Sequence, residues 1–259
     1  MAATPFDLTD RVAVVIGATS GIGRVLATGL AQAGATVVPT GRRQNLVEEV
    51  CQELEKTHDQ SLPRITCDVK DRSSIDRLRD EVISRFGKVD IVIYAAGVAK
   101  KTPSADLKEE EWDDLIDTNL TGALRCCQSF YQPLKASPYA RIVLVASMAS
   151  LIGFHQIVAY SASKSGLRSL AQSLGAEWAK DGIRVNALVP GVFVTDLNRS
   201  ILEGTDRGRE MLGRIPTGRF GDAKELIGAA TFLSSDAASY MTGQCLIVDG
   251  GYLCSGVNS

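Results

Sequence analysis

The sequence lacks the marks of several protein classes. No apolar run approaches the roughly 18 residues that cross a bilayer, and Met1 to Asp10 has neither the basic start nor the apolar centre of a signal peptide. The net charge of −2 gives no electrostatic footprint for nucleic acid or an anionic membrane. We therefore expect a cytoplasmic protein whose partner is a small molecule rather than nucleic acid or a membrane.

Metal ligands are also scarce. The chain has two histidines, and its six cysteines show no CxxC spacing. Without an HExxH motif or a Cys/His cluster, no metal site is expected. The adjacent Cys126 and Cys127 are poorly placed to bond each other, so the sequence predicts reduced and mostly buried thiols.

What the sequence does contain is an alternation of strand and helix patterns. Strands are predicted at 11–17, 35–40, 64–67, 89–95, 141–147, 183–189 and 245–248, with helical patterns from Gly21 to about Gly34 and at about 45–56, 72–86, 107–134, 155–180 and 222–234. Strands separated by helices require right-handed crossovers and a parallel sheet covered on both faces. The prediction is an α/β, three-layer, doubly wound fold with a seven-stranded parallel sheet, in a single domain over residues 1–259.

The least regular part of the chain runs from Thr195 to Gly221. It carries five arginines and several glycines and prolines. Such an insert is either a mobile lid or a long surface loop. Its position after a predicted strand end favours the lid.

A glycine-rich turn separates the first strand from the first helix. It reads Gly17-Ala18-Thr19-Ser20-Gly21-Ile22-Gly23. Glycines are needed where a backbone turns sharply and approaches a pyrophosphate, and the helix that follows offers free N–H groups to phosphates. The turn predicts a dinucleotide site with contacts from Gly17, Thr19, Ser20, Gly21, Ile22 and Gly23, although a tight turn without a ligand would use the same residues.

The end of the second strand bears on the choice of nucleotide. NAD-binding proteins usually place a carboxylate there for the ribose 2′-hydroxyl, whereas this chain has Thr40-Gly41-Arg42-Arg43 and no carboxylate until Glu48. A guanidinium binds a 2′-phosphate through charge-assisted hydrogen bonds. The pattern favours NADP(H), held by Arg42 and Arg43. The alternative is that both arginines only solvate the start of a helix.

Tyr160 and Lys164 lie four residues apart in a helical pattern. Both side chains then leave the same helix face, where Lys164 is expected to lower the pKa of Tyr160. Such a phenol can act as an acid. The pair alone is weak, since a surface tyrosine beside a solvated lysine has the same spacing, and the motif needs context.

That context is a resemblance to the short-chain dehydrogenase/reductase family. The GxxxGxG spacing of the glycine turn resembles the family fingerprint, and Ser147 precedes Tyr160 by thirteen residues, as the family's catalytic serine precedes its tyrosine. Asn119 matches the fourth catalytic position. The resemblance covers essentially the whole chain and implies a single Rossmann domain with Asn119, Ser147, Tyr160 and Lys164 as catalytic residues.

The same resemblance implies further contacts. Beyond the glycine turn and the two arginines, the cofactor would touch Asp68, Val69, Ala96, Gly97, Tyr160, Lys164, Pro190, Gly191, Val192 and Thr195. Val248-Asp249-Gly250-Gly251 matches a terminal strand motif whose edge forms subunit contacts, which implies a homotetramer.

Two positions depart from the family pattern. Ile16 stands where a threonine usually precedes the first glycine, and Tyr94-Ala95-Ala96-Gly97 replaces Asn-Asn-Ala-Gly. The second change removes two amides that usually stabilise the central sheet. It puts local stability and cofactor positioning in question.

These residues predict an NADP(H)-dependent oxidoreductase that interconverts a ketone and a secondary alcohol, with Tyr160 as acid/base. Within the family the sequence is most similar to gluconate 5-dehydrogenases, and next to 3-oxoacyl-acyl-carrier-protein reductases. A small polar substrate such as a sugar acid is therefore expected, and reduction of a 3-oxoacyl thioester is the alternative. Lys100 or Lys101 would pair a substrate carboxylate, or both belong to a solvated basic loop. An alternative of another class is an NADP(H) sensor without turnover.

Overall fold

The computed structural model describes residues 4–56, 61–195 and 198–256. Within them, parallel strands form one six-stranded sheet in the order β2-β1-β3-β4-β5-β6. The strands are β1 (Val12–Ile16), β2 (Thr36–Thr40), β3 (Ile91–Tyr94), β4 (Arg141–Val145), β5 (Arg184–Pro190) and β6 (Cys245–Val248). The chain order reverses between β1 and β3, so a ligand crevice is expected at the carboxyl ends of these two strands.

Helices cover both faces of the sheet. They are α1 (Gly21–Gln32), α2 (Gln44–Glu55), α3 (Arg72–Phe86), α4 (Glu109–Ile116), α5 (Gly122–Ala136), α6 (Val158–Glu177), α7 (Arg199–Leu202), α8 (Asp206–Gly213) and α9 (Ile227–Ser234). Alternate residues of β1 enter opposite cores: Val14 packs with α3, α5 and α6, and Val15 packs with α1, α2 and α9. The predicted three-layer α/β fold is confirmed.

The sheet has six strands rather than the predicted seven, because residues 64–67 form no strand ladder with β2. The Thr36 N–H and the Thr40 C=O both form hydrogen bonds on the side of β1. The backbone groups of successive strand residues point to opposite sides, so those of Pro39 point away from β1, toward residues 64–67. Proline has no N–H to donate there. The Ile65 carbonyl instead accepts from Thr40 Oγ1 at 2.7 Å.

The helix predicted over 107–134 is interrupted. Between α4 and α5, residues Asp117–Thr121 form a π-helical turn, closed by a bond from the Gly122 N–H to the Asp117 carbonyl. Such a turn changes the direction of the side chains that follow it. Asn119 lies inside it.

The predicted insert at 195–221 contains α7 and α8, while Asp196 and Leu197 lie outside the described residues. Leu202 and Ile215 pack with Val192, Met148 and Tyr252 in a small separate core. Four of the six cysteines are buried. Across 4–56, 61–195 and 198–256, no helix has the length and apolar character needed to cross a membrane.

Candidate active site

Two adjoining clefts open at the carboxyl ends of the strands. The large cleft, of about 640 Å³, is lined by the glycine turn after β1 and by residues after β2 and β3. The small cleft, of about 250 Å³, is lined by residues after β4 and β5 and by α7 and α8. Ile22, Ala146, Tyr160 and Thr195 line both clefts, so Tyr160 stands where they meet.

The glycine turn is a backbone cradle at the floor of the large cleft. Gly17 has a φ of 87°, and a Cβ there would lie 2.5 Å from the Ala96 nitrogen. Ser20, which precedes α1, makes no side-chain cap, and the first turn of α1 holds no acidic residue. Because the first N–H groups of a helix have no partner within it, this end of α1 can bind an anion.

Arg42 and Arg43 follow β2 and are exposed on the wall of the large cleft. The Arg43 Nη2 atom lies 3.5 Å from Thr19 Oγ1 and 3.4 Å from Ser20 Oγ. The Arg43 guanidinium therefore stands next to the glycine turn. It adds positive charge where the helix dipole is already favourable for an anion.

The structure places every predicted cofactor residue on one of the two clefts. Those on the large cleft are Gly17, Thr19, Ser20, Gly21, Ile22, Gly23, Arg42, Arg43, Asp68, Val69, Ala96, Gly97, Tyr160, Lys164 and Thr195. Pro190, Gly191 and Val192 line the small cleft.

Three of the four predicted catalytic side chains surround the junction of the clefts. Ser147 directly follows β4, and its Oγ accepts from the Ala149 N–H at 3.2 Å. Tyr160 and Lys164 lie one turn apart on α6, with Lys164 Nζ 5.6 Å from the Tyr160 ring centre. Lys164 is 5% exposed, and its Nζ donates to the Val145 carbonyl at 2.8 Å.

Burial controls the proton affinities at this junction. It raises the pKa of Tyr160 above its usual value, and a hydrogen bond with Ser147 opposes that rise in part. Burial also lowers the pKa of Lys164 to about 8. The expected lowering of the Tyr160 pKa by Lys164 is not found: desolvation raises this pKa, the hydrogen bond with Ser147 rather than Lys164 opposes the rise, and the Lys164 ammonium donates to the Val145 carbonyl.

Asn119 lies behind the junction and is fully buried. Its Nδ2 donates to the Val98 carbonyl at 2.9 Å and to Ser163 Oγ at 3.0 Å, and its Oδ1 accepts from the Val98 N–H at 2.8 Å. Ser163 Oγ in turn donates to the Tyr160 carbonyl at 2.7 Å. Asn119 thus ties the segment after β3 to the turn of α6 that carries Tyr160.

The small cleft combines apolar walls with positive charge. Phe154, Ile157 and Met211 supply apolar surface. Lys101 and Arg207 line the same cleft, and neither forms an ion pair with a carboxylate of the described residues. An apolar pocket with a few polar groups is typical of a small-molecule site.

Comparison with known proteins agrees with this geometry. Residues 17–253 match the family described as enoyl-(acyl carrier protein) reductase. The chain is a short-chain dehydrogenase/reductase. It is thus an oxidoreductase of that family, as its motifs predict.

Similar short-chain dehydrogenases act on polyols and sugar acids. D-threitol dehydrogenase of Mycolicibacterium smegmatis is 37% identical over 95% of this chain and 94% of that protein. 2-Dehydro-3-deoxy-D-gluconate 5-dehydrogenase of Pseudoalteromonas atlantica is 35% identical over 96% of this chain and 98% of that protein. The predicted similarity to sugar-acid dehydrogenases is confirmed.

A solved structure gives the same result. The crystal structure of a gluconate 5-dehydrogenase from Burkholderia cenocepacia, in complex with NADP and tartrate, superposes with a TM-score of 0.94. It is 32% identical, and the match covers 99% of this chain and 100% of that one.

Sequence reasoning missed two residues of the short-chain dehydrogenase site. Ser163 was not among the predicted site residues, yet it joins Asn119 to Tyr160. Its spacing of three residues from Tyr160, which places both on one helix face, was the available signal. Arg207 had no signal that separated it from the other arginines of the insert.

Proposed function

We propose that this short-chain dehydrogenase is an NADP(H)-dependent enzyme that interconverts a ketone and a secondary alcohol on a small carboxylate-bearing substrate such as a sugar acid. The observation that carries the proposal is the position of Tyr160 at the junction of the two clefts, with Ser147 and Lys164 beside it. A nucleotide in one cleft and a carbonyl compound in the other would meet there.

The large cleft suits a dinucleotide phosphate. The uncapped N-terminus of α1 would receive the pyrophosphate, and Arg42 with Arg43 would receive a 2′-phosphate. The NADP-bound relative from Burkholderia supports the choice of nucleotide. When bound, NADP(H) supplies or accepts the hydride.

The residues of the chain would handle the substrate oxygen and its proton. Ser147 would orient the carbonyl oxygen, and Tyr160 would donate a proton to it as negative charge develops. Because the pKa of Tyr160 lies above its usual value of 10, the phenol carries its proton near neutral pH and can donate it. Lys164 would stabilise the phenolate that remains, and Asn119 would hold the turn of α6 in place.

The reaction is tested with purified protein, NADPH and a panel of keto-gluconates, diketones and acetoacetyl thioesters. We expect ketone reduction, and we expect Tyr160→Phe to lower kcat by about 10³-fold because the proton donor is lost. NADPH binding, followed by its fluorescence, is expected to survive in the variant. Absence of turnover across the panel, or an unchanged rate in Tyr160→Phe, refutes the proposal, and a wild-type protein that binds NADPH without turnover is the sensor of the alternative hypothesis.

The charges of the small cleft support an acidic substrate. Lys100 is held by an ion pair with Glu111, which leaves Lys101 as the lysine of this loop that faces the cleft without a carboxylate partner in the described chain. Arg207 Nη1 makes a long contact of 3.5 Å with the His155 carbonyl. A substrate carboxylate would replace that weak neutral contact with a charge-assisted pair.

Arg207 and its neighbour Arg209 provide a matched test of the carboxylate. Arg207 lines the small cleft, whereas Arg209, two residues further along α8, pairs with Asp206. We expect Arg207→Met to raise KM for 5-keto-gluconate by about 10-fold to 100-fold and to leave KM for a neutral ketose unchanged. Arg209→Met is the control for loss of surface charge. Equal effects of Arg207→Met on both substrates, or higher kcat/KM with an acetoacetyl thioester than with any sugar acid, would contradict the proposed substrate.

The remaining features of the proposal concern the insert and the assembly. Leu202, Arg207 and Met211 of α7 and α8 line the small cleft, which supports a lid role for residues 195–221 within a single catalytic domain.

The β6 strand lies at the edge of the sheet and exposes 43% of Ile247, which supports assembly into the predicted homotetramer through this strand. Light scattering of the purified protein would measure its mass, and a monomer would contradict the tetramer.

A further inference from the structure

Tyr94 occupies a position that the catalytic mechanism does not use. It is the last residue of β3, it is fully buried, and it stands where the family pattern has an asparagine. Burial holds the pKa of its phenol well above the usual value, so the group remains a hydrogen-bond donor. Its hydroxyl donates to the main-chain carbonyl of Thr118.

Thr118 belongs to the π-helical turn between α4 and α5. The carbonyls of such a turn are not all used by the helix, so a donor from outside can fix its shape. The turn and the phenol fit each other closely, since a Cβ at Gly122 would lie 2.7 Å from the Tyr94 hydroxyl oxygen. Gly122 therefore leaves the space that the Tyr94 side chain fills.

The same turn carries Asn119 toward the active site. Asn119 bonds to Ser163 at 3.0 Å, and Ser163 bonds to the Tyr160 carbonyl at 2.7 Å. A continuous path of hydrogen bonds and covalent bonds thus runs from Tyr94 through the π turn to α6. Polar partners behind a functional side chain fix its orientation.

We propose that Tyr94 is a positioning residue, whose hydroxyl holds the π turn so that Asn119 engages Ser163 and sets the position of Tyr160. The family pattern has two asparagine amides at this site, which usually stabilise the central sheet. In this chain the amides are absent, and the Tyr94 phenol supports the neighbouring π turn. The inference rests on the proposed function for its effect on rate, but its effect on the turn does not require turnover.

The test is Tyr94→Phe, which removes one oxygen and preserves the ring. We expect kcat for ketone reduction to fall by about 10-fold, with KM for NADPH nearly unchanged, because the hydroxyl that is lost donates to Thr118 and not to the glycine turn or the two arginines. The matched control is Tyr131→Phe, which removes a phenol that donates to Asp181 at 2.8 Å, and we expect it to keep kcat. An unchanged kcat in Tyr94→Phe, or an equal loss in Tyr131→Phe, overturns the proposal.

A double-variant cycle separates positioning from general loss of stability. If Tyr94 acts through Asn119, then Tyr94→Phe costs no further activity in an Asn119→Ala background, whereas independent effects would multiply. Multiplied losses overturn the proposal. Should Tyr94→Phe fold poorly, Gly122→Ala is a second variant, since its Cβ would lie 2.7 Å from the same hydroxyl and 3.0 Å from Val69. We expect it to lower kcat, and normal kcat in that variant also overturns the proposal.

Hydrogen exchange provides a readout that is independent of the reaction. We expect faster exchange of the amides at 118–122 in Tyr94→Phe than in wild type, and no change there in Tyr131→Phe. Unchanged exchange at these amides overturns the inference. Lack of wild-type turnover would remove the proposed function while the effect on exchange would still stand.

Discussion

The two clefts that meet at Tyr160 are built by different means. The large cleft is shaped by backbone, with Gly17 at a φ of 87° and the free end of α1 below it. The small cleft is shaped by side chains from separate segments, among them Lys101, Phe154 and Arg207. A site shaped by the backbone requires particular residue types, here glycine, and these can be recognised in the sequence. The composition of a site shaped by side chains depends on which distant segments meet in the fold.

The largest expected effect is on stability, and it comes from substituting glycines inside and outside the large cleft. Gly17→Ala places a Cβ 2.5 Å from the Ala96 nitrogen in a left-handed conformation, so we expect it to cost about 3 kcal/mol or more of unfolding free energy. A Cβ at Gly213 of α8 would meet no atom of the described residues within 4 Å beyond its own helix and chain neighbours, and Gly213→Ala is expected to change stability by about 0.5 kcal/mol or less. Urea unfolding measures both, and equal costs would show that the glycine turn does not depend on backbone space.

Substitution of an arginine in the large cleft tests which nucleotide that cleft prefers. Arg42→Ser is expected to raise KM for NADPH by about 10-fold to 100-fold and to leave KM for NADH nearly unchanged, because a charge-assisted bond to the 2′-phosphate is lost. Arg219 pairs with Glu225 outside both clefts, so Arg219→Ser serves as the control. The assignment of Arg42 is wrong if its variant alters both cofactors equally.

The third effect concerns the junction itself and is spread over a range of pH. Burial lowers the pKa of Lys164 from 10.5 to about 8, so between these values the unfolded chain binds more protons than the folded one. Stability from this group therefore rises with pH over that window, by about 1 kcal/mol per pH unit at most.

Lys164→Met provides the reference for that pH dependence. Buried thiols and phenols with raised pKa values act in the opposite direction, and they are common to both proteins. Urea unfolding of wild type minus Lys164→Met, from pH 7.5 to 10, is expected to show a rising difference. A flat or falling difference would mean that Lys164 is not held in a desolvated junction.

The errors of the sequence prediction have local physical causes. Residues 64–67 do not pair with β2 as a strand, because the backbone of Pro39 faces them and has no N–H to donate. Which side of β2 a proline faces depends on the alternating direction of its backbone hydrogen-bonding groups. The helix over 107–134 is interrupted by a π turn, whose Thr118 carbonyl accepts a hydrogen bond from Tyr94, a residue outside the helix. Neither cause is visible from hydrophobic periodicity, which records burial but not hydrogen-bond direction.

The sequence by itself determined the layered α/β fold, the glycine turn and the family. β-branched runs separated by amphipathic helices can be buried only in such layers, and a close backbone approach admits only glycine. Tertiary structure alone decided that burial raises the pKa of Tyr160, that Lys100 is paired while Lys101 faces the cleft, and that Ser163 joins Asn119 to Tyr160. Desolvation and side-chain pairing depend on neighbours that are distant in the chain, so their outcome follows only once the segments have packed.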